Sequence, residues 1–376
     1  MLTRKVLMIS AFKDTSGYAR AARNYARCLA EDENFVIKSV KYDSGNNEKL
    51  SPSLLAAHKR SASNAEVIVQ MLTPNEMRPV QGKKNIAICC WETDRIPQHW
   101  VDSLNKFDLV IVPCEANRQA FKNSGVTVKI DLMPFVFFRE DYIYNGPKFK
   151  IPGVTDTTTI FYNISQWSPK KGLDDIIKAY FLAFQNDEDV LLVLKGYIGM
   201  QNQHGDADKM RAEIENIKKM MRLPKYPRIY VTDTMMTPEE ILRLHKSCNI
   251  YVNASRGEGW GIPCFESLLI GNELISVNHT GITEYLPTDI DTAVFYVGDY
   301  YKVLSYKSPV ISMGHPDPML YTSLENWYQA DILSLRDSFK ESINTLTKRN
   351  INQDKYWKLT DPTTIGNKLK ELINNV

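Results

Sequence analysis

No stretch of 18 consecutive apolar residues occurs anywhere in this 376-residue chain, so nothing in it predicts a membrane-spanning helix. The amino-terminal segment Met1 to Phe12 has only a seven-residue apolar stretch before Lys13 and Asp14, too short for a signal-peptide core, and reads as a first strand. Cysteine is sparse. The six residues (28, 89, 90, 114, 248 and 264) lie mostly in apolar strand or helix contexts, and no pair has the two-residue spacing of a zinc or redox site, so reduced, buried thiols are expected. The six histidines are scattered and none belongs to a His-Glu-x-x-His pattern, so no protein-bound metal is expected. Charge of one sign is also lacking. A formal net charge of +2 gives no overall electrostatic reason to bind nucleic acid, although a local basic groove stays open, as does peripheral membrane attachment. These absences together lead to the expectation of a cytoplasmic protein. There is no internal repeat and no low-complexity tract.

What is present is a regular alternation. Apolar residues are 43% of the chain and charged residues 24%, ordinary for a globular protein, and the length suits two domains of about 150 residues. Short apolar runs near Val6 to Ser10, Phe35 to Val40, Val67 to Met71, Asn85 to Trp91, Leu109 to Pro113 and Val128 to Met133 alternate with helical segments such as Gly17 to Ala30 and Glu115 to Asn123. Two glycines and two prolines between Asn145 and Asp156 break the pattern and read as a hinge. It then restarts, with strands predicted at Ile160 to Ser165, Val190 to Lys195, Ile229 to Thr232, Ile250 to Asn253, Leu274 to Val277 and Ala293 to Val297. Helices are predicted at Leu173 to Phe184, Pro238 to Ser247 and Cys264 to Ile270. Strands are expected to stop after about residue 320, with helices over Leu320 to Thr347 and Pro362 to Ile373. The fold class is therefore α/β, with two doubly wound, Rossmann-like domains over 1–150 and 151–330 facing across a cleft, and carboxy-terminal helices over 331–376.

One segment carries more information than the rest: Ser255-Arg-Gly-Glu-Gly-Trp-Gly-Ile-Pro-Cys-Phe-Glu266. A short buried strand precedes it, and Pro263 suits the first position of a helix. Glycines at 257, 259 and 261 keep the strand-to-helix turn free of side chains, so that amides and the positive helix end can approach a diphosphate. Glu258 on the loop and Glu266 in the first helical turn then flank the diphosphate as two acceptors for hydroxyl groups. Acids near a helix start also favour its dipole by about 0.3–1 kcal/mol each, but that alone leaves the three glycines and a Trp260 expected to be exposed without a reason.

This Glu-x7-Glu segment resembles the retaining glycosyltransferases of the large GT-B group known as family four. The likeness extends through Ile160 to Gly172 and Trp91 to Trp100 and covers most of the chain. The resemblance implies GT-B architecture and retaining transfer from a UDP- or GDP-sugar donor, with no further cofactor. It gives Glu258 the transferred sugar, Glu266 the ribose and Lys171, before Gly172, the donor phosphates. The loop residues Arg256, Gly259, Trp260, Gly261 and Ile262 are expected to line the donor site. Gly17, in the loop after the first strand, takes the place of the glycine-rich loop beside the donor phosphate. The last helix is expected to return to the first domain. An arginine usual five residues before the phosphate-binding lysine is here Gln166, so either Lys170 or another cation such as Arg256 supplies the missing charge or the phosphate grip is weaker than usual in the family. Glu92, past the end of a buried strand, is the candidate acceptor-side and catalytic contact; capping the next helix is its alternative role. The acceptor is open among a glycan, a lipid-linked glycan, a protein and modified DNA, the last as in phage enzymes of the same broad fold. A non-catalytic nucleotide-sugar-binding protein is the remaining alternative. In retaining transfer of this kind a departing phosphate oxygen accepts the acceptor proton, so no protein base is required. Asp187-Glu-Asp189 has the Asp-x-Asp spacing that other transferases use for a metal, but here it falls between a helix and a strand and reads as a solvated turn.

Overall fold

The computed structural model describes residues 1–40, 48–185, 188–198, 205–286, 296–297, 300–310, 320–322, 324–345 and 351–376. They divide into two compact units, one of Met1–Asp141, Pro309–Asn326 and Trp357–Val376, the other of Tyr142–Ser308 and Trp327–Tyr356.

In the first unit β1 (Val6–Ser10), α1 (Gly17–Arg27), β2 (Phe35–Ser39), α2 (Pro52–Lys59), β3 (Val67–Met71), β4 (Lys84–Ile88), α3 (Gln98–Leu104), β5 (Leu109–Val112), α4 (Glu115–Asn123) and β6 (Ile130–Leu132) follow in order. The six strands form one parallel sheet in the order β2-β1-β3-β4-β5-β6. Its strands read as continuous apolar runs because helices cover both faces: β3 and β5 are buried at every residue. β4 ends at Ile88, three residues before the predicted Trp91. Beyond it the Asn117 side chain takes over the backbone of Trp91, accepting from its N–H at 3.0 Å and donating to its carbonyl at 2.6 Å. That side chain competes with a sheet ladder for the same groups.

The second unit runs β7 (Thr159–Trp167), α5 (Leu173–Ala183), β8 (Val190–Ile198), α6 (Asp206–Met221), β9 (Arg228–Thr232), α7 (Pro238–Ser247), β10 (Ile250–Asn253), α8 (Ile262–Leu269), β11 (Glu273–Val277), β12 (Tyr296–Val297), β13 (Tyr300–Val303), β14 (Ser305–Pro309), β15 (Asn326–Ala330) and α9 (Ile332–Thr345). α10 (Gln353–Leu359) and α11 (Pro362–Asn375) end the chain. A seven-stranded sheet has the order β12-β13-β11-β10-β7-β8-β9, parallel except for β12 against β13. Its core packs Phe161, Tyr180, Phe184 and Phe339 in contacting pairs of rings between sheet and helices. Of the predicted strand at Ala293 to Val297, residues 293–295 lie outside the described residues, as does Thr347.

The expectation that strands stop after residue 320 is wrong. Asn326–Ala330 is β15, paired with β14, and α9 starts only at Ile332. Trp327 and Ala330 are buried, and the aromatic pair Trp327-Tyr328 favours a pleated, half-buried strand over a helix.

The strand order fixes where chemistry can sit. In the second sheet the chain leaves β7 toward β8 and β9 on one side, and β10 and β11 lie on the other. The loops following β7 and β10 therefore diverge from a topological switch point at the carboxyl ends of the strands, where open α/β sheets bind ligands.

Candidate functional site

The β7 loop is a single 3-10 turn, Pro169–Lys171, closed by Gly172 in the left-handed region at φ 62°. A Cβ there would lie 2.3 Å from the Ala254 carbonyl oxygen, so glycine is required for the two loops to touch. Arg256 N–H donates to the Lys170 carbonyl at 2.7 Å, a second tie between the loops.

These ties bring Lys171 to Glu258. The ammonium donates to and pairs with carboxylate Oε1, and both side chains are largely buried, 19% and 14% exposed. Burial opposes the charge on Glu258, but Lys171 and Lys170, with hydrogen bonds from Lys171 and Ser255, outweigh it and hold the carboxyl below its ordinary value. Lys170 is half-buried. Arg256 joins this group only through its main chain. Its guanidinium turns to Asp175 at 3.5 Å and Asp174 at 4.0 Å and lies over the Trp327 ring, 5.5 Å from the centroid.

The turn into α8 is glycine-dependent. Gly261 is its N-cap at φ 78°, and Ile262 and Pro263 form the first turn, so the helix begins two residues earlier than predicted. Trp260 is not exposed as expected: it is 1% exposed, packed against Phe265 and Tyr285 with centroids 5.4 Å from each. Its large apolar face finds a place under the loop, and Tyr285 Oη donates to its carbonyl at 2.9 Å.

Glu266 is likewise buried, at 3% exposure. Tyr142 Oη donates to its Oε1 at 2.8 Å, and His245 Nε2 lies 3.8 Å from Oε2. A polar chain backs it up: Tyr162 Oη and His245 Nδ1 are 2.7 Å apart, and Asn272 donates to Tyr162 Oη at 2.9 Å and to the His245 carbonyl at 2.7 Å. Tyr142, Tyr162, His245 and Asn272 were not foreseen, because no local spacing links residues as far apart as 142 and 266.

Below the Glu258 loop, His279 is buried and stacks on Tyr328, with ring centroids 4.5 Å apart at 14°. Burial pushes its pKa down to about 3 despite the nearby Glu258 carboxylate, so it is neutral.

The two remaining candidates lie in the first unit. Gly17 is the exposed first residue of α1, after the N-cap Ser16, whose side chain accepts from Ala19 N–H at 3.3 Å. Glu92 is half-buried, and Tyr321 Oη donates to its carboxylate; the Tyr321 ring also packs on Trp91 at 5.4 Å. Gln98 starts α3 with Pro97 as N-cap and no side-chain cap, so Glu92 does not cap that helix.

Asp187 lies outside the described residues. Asp189 is exposed and accepts from Thr155, Thr157, Thr158 and Arg228. Among the described residues no group of three His, Cys, Asp or Glu could hold a metal ion, and no helix is long and apolar enough to cross a membrane. All six cysteines are free, five of them buried.

Residues 147–299 match the family model "Glycosyl transferases group 1". No curated protein matches the chain in sequence. Among solved structures, Anabaena HepE in complex with UDP and glucose is similar over 99% of this chain and 100% of that one, with a TM-score of 0.62 at 15% identity. Trehalose-6-phosphate from E. coli bound with UDP-2-fluoro glucose is similar over 99% of both chains, with a TM-score of 0.62 at 10% identity. A UDP-forming trehalose-phosphate synthase from Burkholderia xenovorans is similar over 100% and 99%, with a TM-score of 0.59 at 11% identity. Identities this low show the fold alone, and that fold is GT-B: two Rossmann-like units, each a doubly wound sheet.

Proposed function

We propose that this glycosyltransferase moves a sugar, with retention of anomeric configuration, from a nucleoside-diphosphate donor held by its second unit to a hydroxyl of the acceptor. The observation that carries the reading is the buried Lys171–Glu258 pair at the switch point, inside the segment that matches the glycosyl transferases group 1 model. A paired lysine and carboxylate at this point are two charges stored for a ligand bearing both phosphates and hydroxyl groups.

Donor binding would exchange partners. Lys171 turns from Glu258 to the diphosphate, beside the amides at the start of α8, and Glu258 is released to accept from a hydroxyl of the transferred sugar. Glu266 accepts from the ribose. As the bond from the anomeric carbon to the phosphate oxygen breaks, the growing charge on the leaving diphosphate is met by Lys171 and the helix amides, which act more strongly there than on the intact donor. The acceptor oxygen bonds to the anomeric carbon and its proton passes to the departing phosphate oxygen. No protein base takes part. Acceptor contacts are assigned to the first unit through Glu92.

The choice of UDP over GDP donors is supported by structures of the same fold solved with UDP and with UDP-2-fluoro glucose. A thermal-shift screen of UDP- and GDP-sugars tests the donor: a ligand at 100 times its Kd adds about 2.7 kcal/mol of stability. Proton NMR of the first product formed reads the anomeric configuration. An inverted product, or no shift with any nucleotide sugar, overturns the proposal.

A further inference from the structure

Three described residues other than glycine have positive φ, Asn64, Arg222 and Thr280, and of these only Thr280, at 54°, is β-branched. Asparagine visits this region at small cost, whereas a β-branched residue there is a genuine outlier. Such strain persists where surrounding contacts over-determine it. At Thr280 those contacts point to one place. Its Oγ1 accepts from the Glu258 N–H at 3.0 Å and donates to the His279 carbonyl at 2.7 Å. The next residue, Gly281, donates its N–H to the Glu258 carbonyl at 2.9 Å, and a Cβ on Gly281 would lie 2.2 Å from the Gly259 carbonyl oxygen. The Thr280 carbonyl is itself held, accepting from Thr283 Oγ1 at 2.7 Å.

Both backbone polar groups of Glu258 are thus satisfied by the 280–281 turn, one through a side-chain hydroxyl and one through an amide. On the other side of the loop, the Arg256 N–H and carbonyl are taken by Lys170 and by Tyr328 N–H at 2.7 and 2.8 Å. Glu258 therefore sits on a loop fixed at two points two residues apart, and Thr280 contributes the contact that depends on a particular side chain. A glycine at 280 would adopt this backbone without strain but would leave the Glu258 N–H unpaired. We infer that Thr280 is a positioning residue: it is held in an unfavourable conformation so that its hydroxyl fixes the main chain of Glu258 and aims that carboxylate at the transferred sugar. The inference deepens the donor-site reading and rests on it for the identity of the group Glu258 meets.

Three variants separate hydroxyl from strain. Thr280→Val keeps the branch and removes the hydroxyl, Thr280→Gly removes both, and Thr280→Ser keeps the hydroxyl. Hydrogen exchange of the Glu258 amide in the free protein should quicken in Thr280→Val and Thr280→Gly and stay near wild type in Thr280→Ser. Thr280→Gly should melt no lower than the wild type despite this local loosening. In calorimetry with UDP and UDP-glucose, and with GDP and GDP-mannose alongside, the first two variants should lose roughly three- to tenfold in affinity for the sugar-bearing ligand and little for the bare nucleotide, the scale of one hydrogen bond. Unchanged exchange at Glu258 in Thr280→Gly, or equal loss for both ligands, overturns the inference. A wild-type protein that binds none of the four ligands overturns the donor-site reading instead, and exchange at Glu258 still decides the positioning role. If Thr280→Val does not fold, Thr280→Gly against Thr280→Ser carries the same comparison.

Discussion

The Lys171 ammonium rests on Glu258 Oε1, joining a residue of the β7 loop to one of the β10 loop across 87 positions of sequence. Each charge is largely withdrawn from water, so neither is cheap to leave alone. The proposed mechanism uses the pair as a reserve that a donor divides between its phosphates and its sugar.

Lys171→Ala should therefore lower turnover more than donor affinity, because the charge that Lys171 meets grows as the diphosphate leaves. A fall in kcat of about 100-fold or more is the scale set by removing one donor aimed at a developing oxyanion. Steady-state kinetics with the donor varied checks this. Equal proportional losses in donor Kd and kcat would mean uniform binding and would remove the transition-state role.

Glu266 is buried and hydrogen-bonded, so its replacement acts on stability as well as on binding. Glu266→Ala removes the acceptor of the half-buried Tyr142 hydroxyl and should destabilise the protein by about 0.5–1.5 kcal/mol. Glu266→Gln keeps an oxygen for Tyr142 and should melt close to wild type. Its effect should appear on binding: weaker affinity for UDP with little change for 2′,3′-dideoxy-UDP, read by calorimetry. A Gln variant that loses equal affinity for both nucleotides would rule out the ribose as the Glu266 partner.

The frame of this site was legible in the sequence because it is written in local chemistry. Gly172 and Gly261 sit where the backbone takes positive φ, and apolar runs such as Ile250 to Asn253 are strands buried on both faces. What could not be read depends on long-range packing. Trp260 looks exposed among glycines and becomes buried only because Phe265 and Tyr285 stand beneath the loop. The pairing of Glu92 with Tyr321 spans 229 positions, and that of Glu266 with Tyr142 spans 124. β15 is a short strand that runs directly into α9 at Ile332, and its partner β14 carries no strong alternating pattern, so only the Trp327-Tyr328 pair marks it locally. The left-handed Thr280 contradicts its own local preference, which is why it is informative once seen.

His279 gives a pH dependence with a definite sign. Its pKa is about 3 in the folded protein and near 6.5 when unfolded, so between those values the unfolded chain binds the extra proton. Its contribution is fully present above pH 6.5 and is lost as pH falls toward 3, with a slope of up to about 1.4 kcal/mol per pH unit. Thermal melts of the wild type and His279→Gln from pH 7 to pH 4 isolate it. The variant should show a shallower loss of melting temperature on acidification, and parallel curves would show that folding leaves the proton affinity of His279 unchanged.

In the proposed mechanism Lys171 and the amides at the start of α8 meet the diphosphate charge that Asp-x-Asp enzymes neutralise with a divalent ion, so transfer should survive excess EDTA. The geometry of Asp189 agrees with this division of labour: three threonine hydroxyls and Arg228 occupy its oxygens, which ties the start of β8 to the neighbouring turn and leaves it a structural role. Asp187→Ala/Asp189→Ala should accordingly melt somewhat lower while keeping its turnover per folded molecule. Transfer measured with EDTA, with magnesium or manganese restored, and again for the double variant reads both halves. Activity abolished by chelation and recovered with the ion, together with a folded but inactive double variant, would replace the lysine-and-helix account with a metal-dependent one.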